Sequence, residues 1–397
     1  QDIPMRQTMS ELLQCMGTFL AYRRFDQSED LGPELQLAAA YREKNLEKHF
    51  NQAIKLASKQ LDKKVQDPEY FYAKYRLEME QYNFIESLKR TTSNNLQVVS
   101  HALDTYLLSS KLRQSCLLLA HQAVYKTEYD YSFLPVLISY LEDSPHLDTP
   151  AIALYYYCYR ALTEKEEHYF QKFLQALRQH ADFSPEGIQD LILLAVNYRI
   201  RQINQGDRSY IEEALALYKM GLEREVFTQQ GYLSRFTYKN IVALGLGIRQ
   251  FQWIEQFLHQ YREALAPRYR ESFFNFNLAK LYFTQLDFDR AMPLLAKVDD
   301  SDLLLQLDAK VLLLKMYYES QEFEALESLL VSFRAFLQRK KILGYHKIHY
   351  SGIIRFTRKI LEVNSLDKQA IAKLRAHIQA EEMLPEQEWL LEKLQEL

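Results

Sequence analysis

Apolar residues recur at steps of three and four along nearly the whole chain, so the elements the pattern predicts are helices. Leu12, Leu13, Met16, Phe19 and Leu20 mark one helix, and Leu35, Leu37, Ala38 and Tyr41 mark the next, beyond a break at Leu31-Gly32-Pro33. Leu46, Phe50, Ala53, Ile54, Ala57 and Leu61 form an amphipathic stripe. Asp67-Pro68 opens a further helix with proline in its first turn, where a missing N–H removes no helical bond. Phe84 to Leu108 reads as one or two long helices with a break near Asn94-Asn95, and Leu112 to Val124 follows as another. Pro145 and Pro150 bracket a loop. No alternating run bounded by turns appears, so essentially no sheet is expected.

The pattern also repeats itself. Two stretches between Phe274 and Phe333 superimpose at a shift of 35 residues. Leu278 meets Leu313, Ala279 meets Leu314, Tyr282 meets Tyr317, Phe288 meets Phe323, Ala291 meets Leu326 and Leu295 meets Leu330. Leu194, Ala195 and Tyr198 carry the same large–small–aromatic order, and Phe251, Ile254 and Leu258 echo Phe288, Ala291 and Leu295. A period of this length marks stacked helical pairs. The residues resemble the tetratricopeptide repeat family, which places a large, a small and an aromatic residue on its first helix and an aromatic, a small and two apolar residues on its second. Leu314 and Leu326 depart from the family's small residues, and side chains of that size are expected to push their helices apart. Pro293 lies inside a predicted second helix.

The resemblance implies an all-α fold, a right-handed α-solenoid of antiparallel helix pairs. The expected organisation is an irregular helical part over 1–147, repeats over 148–383 and a capping helix over 384–397. A chain of 397 residues exceeds a typical single core, but stacked repeats escape that limit because each packs only on its neighbours.

Composition narrows the function without naming it. Net charge is −3, so the chain as a whole is no obvious nucleic-acid binder. Cys15, Cys116 and Cys158 are odd in number and far apart, which implies no disulfide framework and suits a reducing, cytoplasmic setting. No apolar run approaches the length of a membrane span. Gly-x-Ser-x-Gly, a phosphate-cradling loop and His-Glu-x-x-His are all missing, so no catalytic residue, cofactor or metal ligand set is expected. Gly245-Leu246-Gly247 follows no strand and reads as close helix packing.

Two groups of side chains stand out as candidate sites. Between Val331 and Ile360 the chain carries Arg334, Arg339, Lys340, Lys341, Lys347, Arg355, Arg358 and Lys359 and no acidic residue. Tyr345, Tyr350 and Phe356 interleave with them, as do His346 and His349. The group reads as a seat for an anionic partner, nucleic acid or acidic protein, or as solvated helix ends neutralised by Glu362, Asp367, Glu381, Glu382, Glu386 and Glu388. Tyr155, Tyr156, Tyr157 and Tyr159 point around one helix, toward a groove or into the next repeat. The resemblance and the missing catalytic signatures together favour a non-catalytic scaffold that binds a protein or peptide partner. A nucleic-acid partner is the second reading, and pairing with further copies of the chain is compatible with both.

Overall fold

The computed structural model describes residues 2–26, 31–87, 94–125, 127–142, 144–179, 185–298, 302–339, 344–381 and 384–397. The side chains of 2–4, 123–124, 185–186, 229 and 344–346 lie outside that description. Two compact units divide the chain: Gln1–Arg208 with Leu217–Val226, and Ser209–Ala216 with Phe227–Leu397. Both are built from α-helices, and among the described residues none is long and apolar enough to cross a membrane.

The first unit runs through α1 (Asp2–Asp26), α2 (Gly32–Glu43), α3 (Glu47–Leu61), α4 (Pro68–Ser87), α5 (Leu96–Tyr125), α6 (Leu134–Leu141), α7 (Pro150–Glu164), α8 (Glu167–Gln179) and α9 (Pro185–Asn204). Consecutive helices pair, α2 with α3, α4 with α5 and α7 with α8, and α5 also packs on α7. The stripe on α3 is buried at Phe50, Ala53, Ile54, Ala57 and Leu61. Pro68 and Pro150 open α4 and α7, and the Asp67 carboxylate accepts from the Tyr70 amide at 2.8 Å, capping α4. Leu112 begins no separate helix: α5 runs unbroken through it, because nothing between Leu96 and Tyr125 is a glycine or proline. The Ser109 hydroxyl, donating back to the Thr105 carbonyl at 2.7 Å, is satisfied inside that helix. At the α8–α9 contact Arg199 is fully buried, its guanidinium 3.9 Å from the centre of the Phe170 ring and donating to both Glu167 oxygens at 2.9 and 2.5 Å.

α10 (Ile211–Glu223) has residues in both units. The second unit continues through a two-stranded hairpin, β1 (Thr228–Gln229) and β2 (Tyr232–Leu233), joined by Gln230 and Gly231, both at positive φ as a two-residue turn requires. Then come α11 (Arg235–Gly247), α12 (Phe251–Gln260), α13 (Pro267–Thr284), α14 (Phe288–Leu295), α15 (Leu303–Glu319), α16 (Phe323–Arg339), α17 (Gly344–Glu362), α18 (Lys368–Gln379) and α19 (Gln387–Gln395). From α11 to α17 each helix packs on the next, and α13 also touches α11 and α15.

Buried residues at matching positions fill these helix contacts. Ala279 on α13, Ala291 on α14, Leu314 on α15 and Leu326 on α16 are all fully buried. Gly245 lets α11 and α12 approach closely. A Cβ there would sit 2.3 Å from Ile254 Cδ1. Pro293 is accommodated within α14, a helix of only 8 residues. One apolar cluster then joins α15, α16 and α17 to α18 and α19, through Leu314, Leu330, Phe333, Ile353, Leu374 and Leu390 among others.

Candidate anion-binding groove

The α16–α17 contact is apolar within and basic at its edge. Phe333, Leu337, Ile353 and Ile354 are buried, and they fix the two helices against each other. Around the rim, α16 brings Arg334 and Gln338, one turn apart. Along α17 the residues Lys347, Ser351, Arg355, Arg358 and Glu362 recur at steps of three and four, so they share a face. Together with Lys359 they surround a groove of about 540 Å³ whose floor is Leu337 and Ile354. Five cations and one carboxylate line it.

Arg355 donates to Glu381 at 2.6 Å, a surface pair worth about 0–1 kcal/mol. Arg334, Lys347, Arg358 and Lys359 make no ion pair among the described residues. Among the described residues the acidic C-terminal segment therefore pairs with one groove cation; Glu382 lies outside them. Arg355 and Lys359 also lie over the Phe356 ring, 4.6 and 5.7 Å from its centre. Arg339 stands outside the groove at the end of α16, where a cation suits the helix dipole. Burial, with Arg339 adding to it, pushes the Lys310 amine down from its ordinary pKa. Lys340 and Lys341 lie outside the described residues, as do the side chains of Tyr345 and His346.

The aromatics between these cations turn inward. Phe356 is 2% exposed and Tyr350 is 8% exposed. The Tyr350 hydroxyl donates to Asp308 at 2.8 Å, and burial, reinforced by that carboxylate, pushes the phenol pKa well up. Asp308 also pairs with Lys239. No ring from Tyr350 or Phe356 is presented at the groove for a base to stack on.

The tyrosines of α7 lie elsewhere, in the first unit. Tyr155 and Tyr156 are buried, and Tyr157 and Tyr159 are half-buried. The Tyr156 hydroxyl accepts from Arg160 at 2.9 Å, and Arg160 also pairs with Glu142 and Glu164. Burial pushes Tyr155 far above the ordinary phenol range. Lys172 sits 5.4 Å from the centre of the Tyr157 ring.

The composition of the basic stretch identified its cations but not its groove. Gln338 was legible only through helical spacing from Arg334 and Ser351 only through spacing from Lys347, and the floor residues only through the pairing of the two helices. Among the described residues no group of three or more His, Cys, Asp or Glu is placed to hold a metal ion. No protein-family model, curated protein or solved structure matches the chain.

Proposed function

We propose that this chain is a non-catalytic interaction module of tetratricopeptide-like helical hairpins, and that the α16–α17 groove holds an acidic segment of a protein partner. The observation that carries the reading is the set of cations around an apolar floor, of which Arg355 alone has an acidic partner among the described residues. Four uncompensated cations favour an anion, and Leu337 and Ile354 favour one with apolar side chains beside its carboxylates. Within the second unit, the packing of each helix on the next suits hairpins stacked in file, as in a right-handed α-solenoid. The free thiols of Cys15, Cys116 and Cys158 suit a reducing, cytoplasmic setting.

A protein segment is favoured over nucleic acid because Tyr350 and Phe356 are buried and base stacking has no platform in them. The test is fluorescence anisotropy with a labelled Glu- and Leu-containing peptide, its Gln-substituted counterpart, and a single-stranded oligonucleotide of matched charge. The acidic peptide should bind, weaken as salt rises and lose affinity on Lys347→Glu or Arg358→Glu. Tighter binding of the oligonucleotide, or equal binding of the Gln peptide, would sink the proposal.

A further inference from the structure

α1 stands apart from the other helices in one respect. Every side chain described in it, from Met5 to Asp26, is exposed, and its packing on α2 is slight. From Met5 to Leu20 the helix is sided: Gln7, Ser10, Glu11, Gln14 and Thr18 lie on one face, while Met5, Met9, Leu12, Met16 and Phe19 lie on the other. Beyond Leu20 the pattern ends, with Arg23 on the apolar side and Phe25 on the polar one. The steps between these five apolar residues are four, three, four and three, the heptad rhythm by which one helix meets another. Leu13 and Leu20 widen the stripe. These seven side chains are between 54% and 70% exposed.

We propose that α1 is a self-association helix and that two copies of this chain pair their α1 helices in antiparallel fashion. Area supports it. At about 100 Å² for a Leu or Met side chain and about 200 Å² for Phe19, the exposed parts of the seven side chains amount to on the order of 500 Å² per chain, so a pair would cover about 1,000 Å², the least area of a specific interface. An apolar patch of that extent matches the largest found on a typical monomer, which is often functional.

The charges set the direction. The next heptad step after Phe19 falls on Arg23, which is exposed. A parallel pair in register would place the two Arg23 residues opposite each other in the seam. The antiparallel pair sets Met5 beside the partner's Leu20 and Met9 beside the partner's Met16, and carries Arg23 past the seam into water. It also opposes the two helix dipoles head to tail. A lipid surface fits less well, because helices that lie on membranes carry Lys and Arg across the polar face. Here amides, hydroxyls and the Glu11 carboxylate fill that face between Arg6 and Arg24.

Sedimentation velocity of the full chain over a wide concentration range tests the pairing. The expected result is a dimer that dissociates on dilution. The double variant Leu12→Glu, Phe19→Glu should be a monomer throughout, with unchanged circular dichroism and melting midpoint, because both side chains are exposed. Orientation is read by oxidising a mixture of Met5→Cys and Leu20→Cys chains, both carrying Cys15→Ser. Mixed cross-links between the two chains are expected. A wild type that is monomeric at every concentration, a dimer that survives the double substitution, or a monomer that binds vesicles of phosphatidylserine and phosphatidylcholine through α1 overturns the proposal. Cross-links formed only between like chains overturn the antiparallel arrangement.

Discussion

Arg355 on α17 reaches Glu381, beyond the end of α18, at 2.6 Å, and this pair is the one place where a groove cation meets an acidic residue among the described residues. Replacing Glu381 with Gln frees Arg355 and should tighten binding of an acidic peptide by a few-fold, a gain that disappears at high salt. Arg358→Glu should weaken the same peptide by roughly tenfold. Anisotropy titrations at two ionic strengths separate these effects from any change in folding.

Asp308 holds two helices other than its own. It accepts from Tyr350 on α17 at 2.8 Å and pairs with Lys239 on α11. Asp308→Ala leaves the buried Tyr350 hydroxyl without an acceptor, at a cost of about 1–3 kcal/mol. Asp308→Asn keeps an acceptor and should recover most of that. Urea unfolding of both variants provides the comparison, and equal losses would show that hydrogen bonding is not the cause.

Gly245 faces Ile254 across the α11–α12 contact. Gly245→Ala should destabilise the protein by about 1–3 kcal/mol through overpacking. The double variant with Ile254→Val should lose less than the sum of the two single substitutions. Additive losses in a double-mutant cycle would place the cost in the backbone of α11 instead.

Burial pushes the half-buried Lys280 amine below the ordinary lysine range; Lys239 and Lys315 push the same way, and Glu386 and Asp308 offset part of the shift. The folded pKa is then the lower of the two, so between it and the unfolded value the unfolded chain binds more protons. This group's contribution to stability therefore rises with pH across that window. Lys280→Met removes the cost of the buried ammonium. It should raise stability at neutral pH, with an advantage that shrinks as pH approaches the unfolded lysine pKa. Stability curves of wild type and variant against pH must converge in the alkaline range for this account to hold.

Arg199 tests how much a buried cation depends on its partners. Arg199→Ala should cost about 2–5 kcal/mol, because it removes the stack on Phe170 and leaves a cavity where a fully buried side chain stood, while the partly exposed Glu167 stays solvated. Arg199→Met fills the space without the charge and should cost less, particularly when combined with Glu167→Gln. Thermal melts of the three variants settle the order.

Helices were legible where periodicity and punctuation agreed. The stripe from Phe50 to Leu61 and the proline at 68 mark observed elements because burial and the missing N–H act within a few residues, whereas Pro150, read as the edge of a loop, opens α7 itself. Leu112 misled, because an apolar residue restarting a pattern looks the same inside a long helix as at the start of a short one. The groove was half legible: charge is a property of residue type, so Arg334, Lys347, Arg355, Arg358 and Lys359 stood out. The inward turn of Tyr350 and Phe356 depends on which face α17 buries, and that is decided by α15 and α16, far along the chain. The same limit hid the exposure of α1, whose stripe reads like any core-facing helix.

The polar edge of α15 has a mechanical consequence. Asp308 reaches α11 and α17, while Lys315 holds Glu386 at 2.7 Å and Glu319 accepts from the indole of Trp389 at 2.7 Å. These ties skip over the chain neighbours α14 and α16, so α15 joins elements that no sequence adjacency brings to it, and the polar groups along it fasten the second unit from α11 to α19.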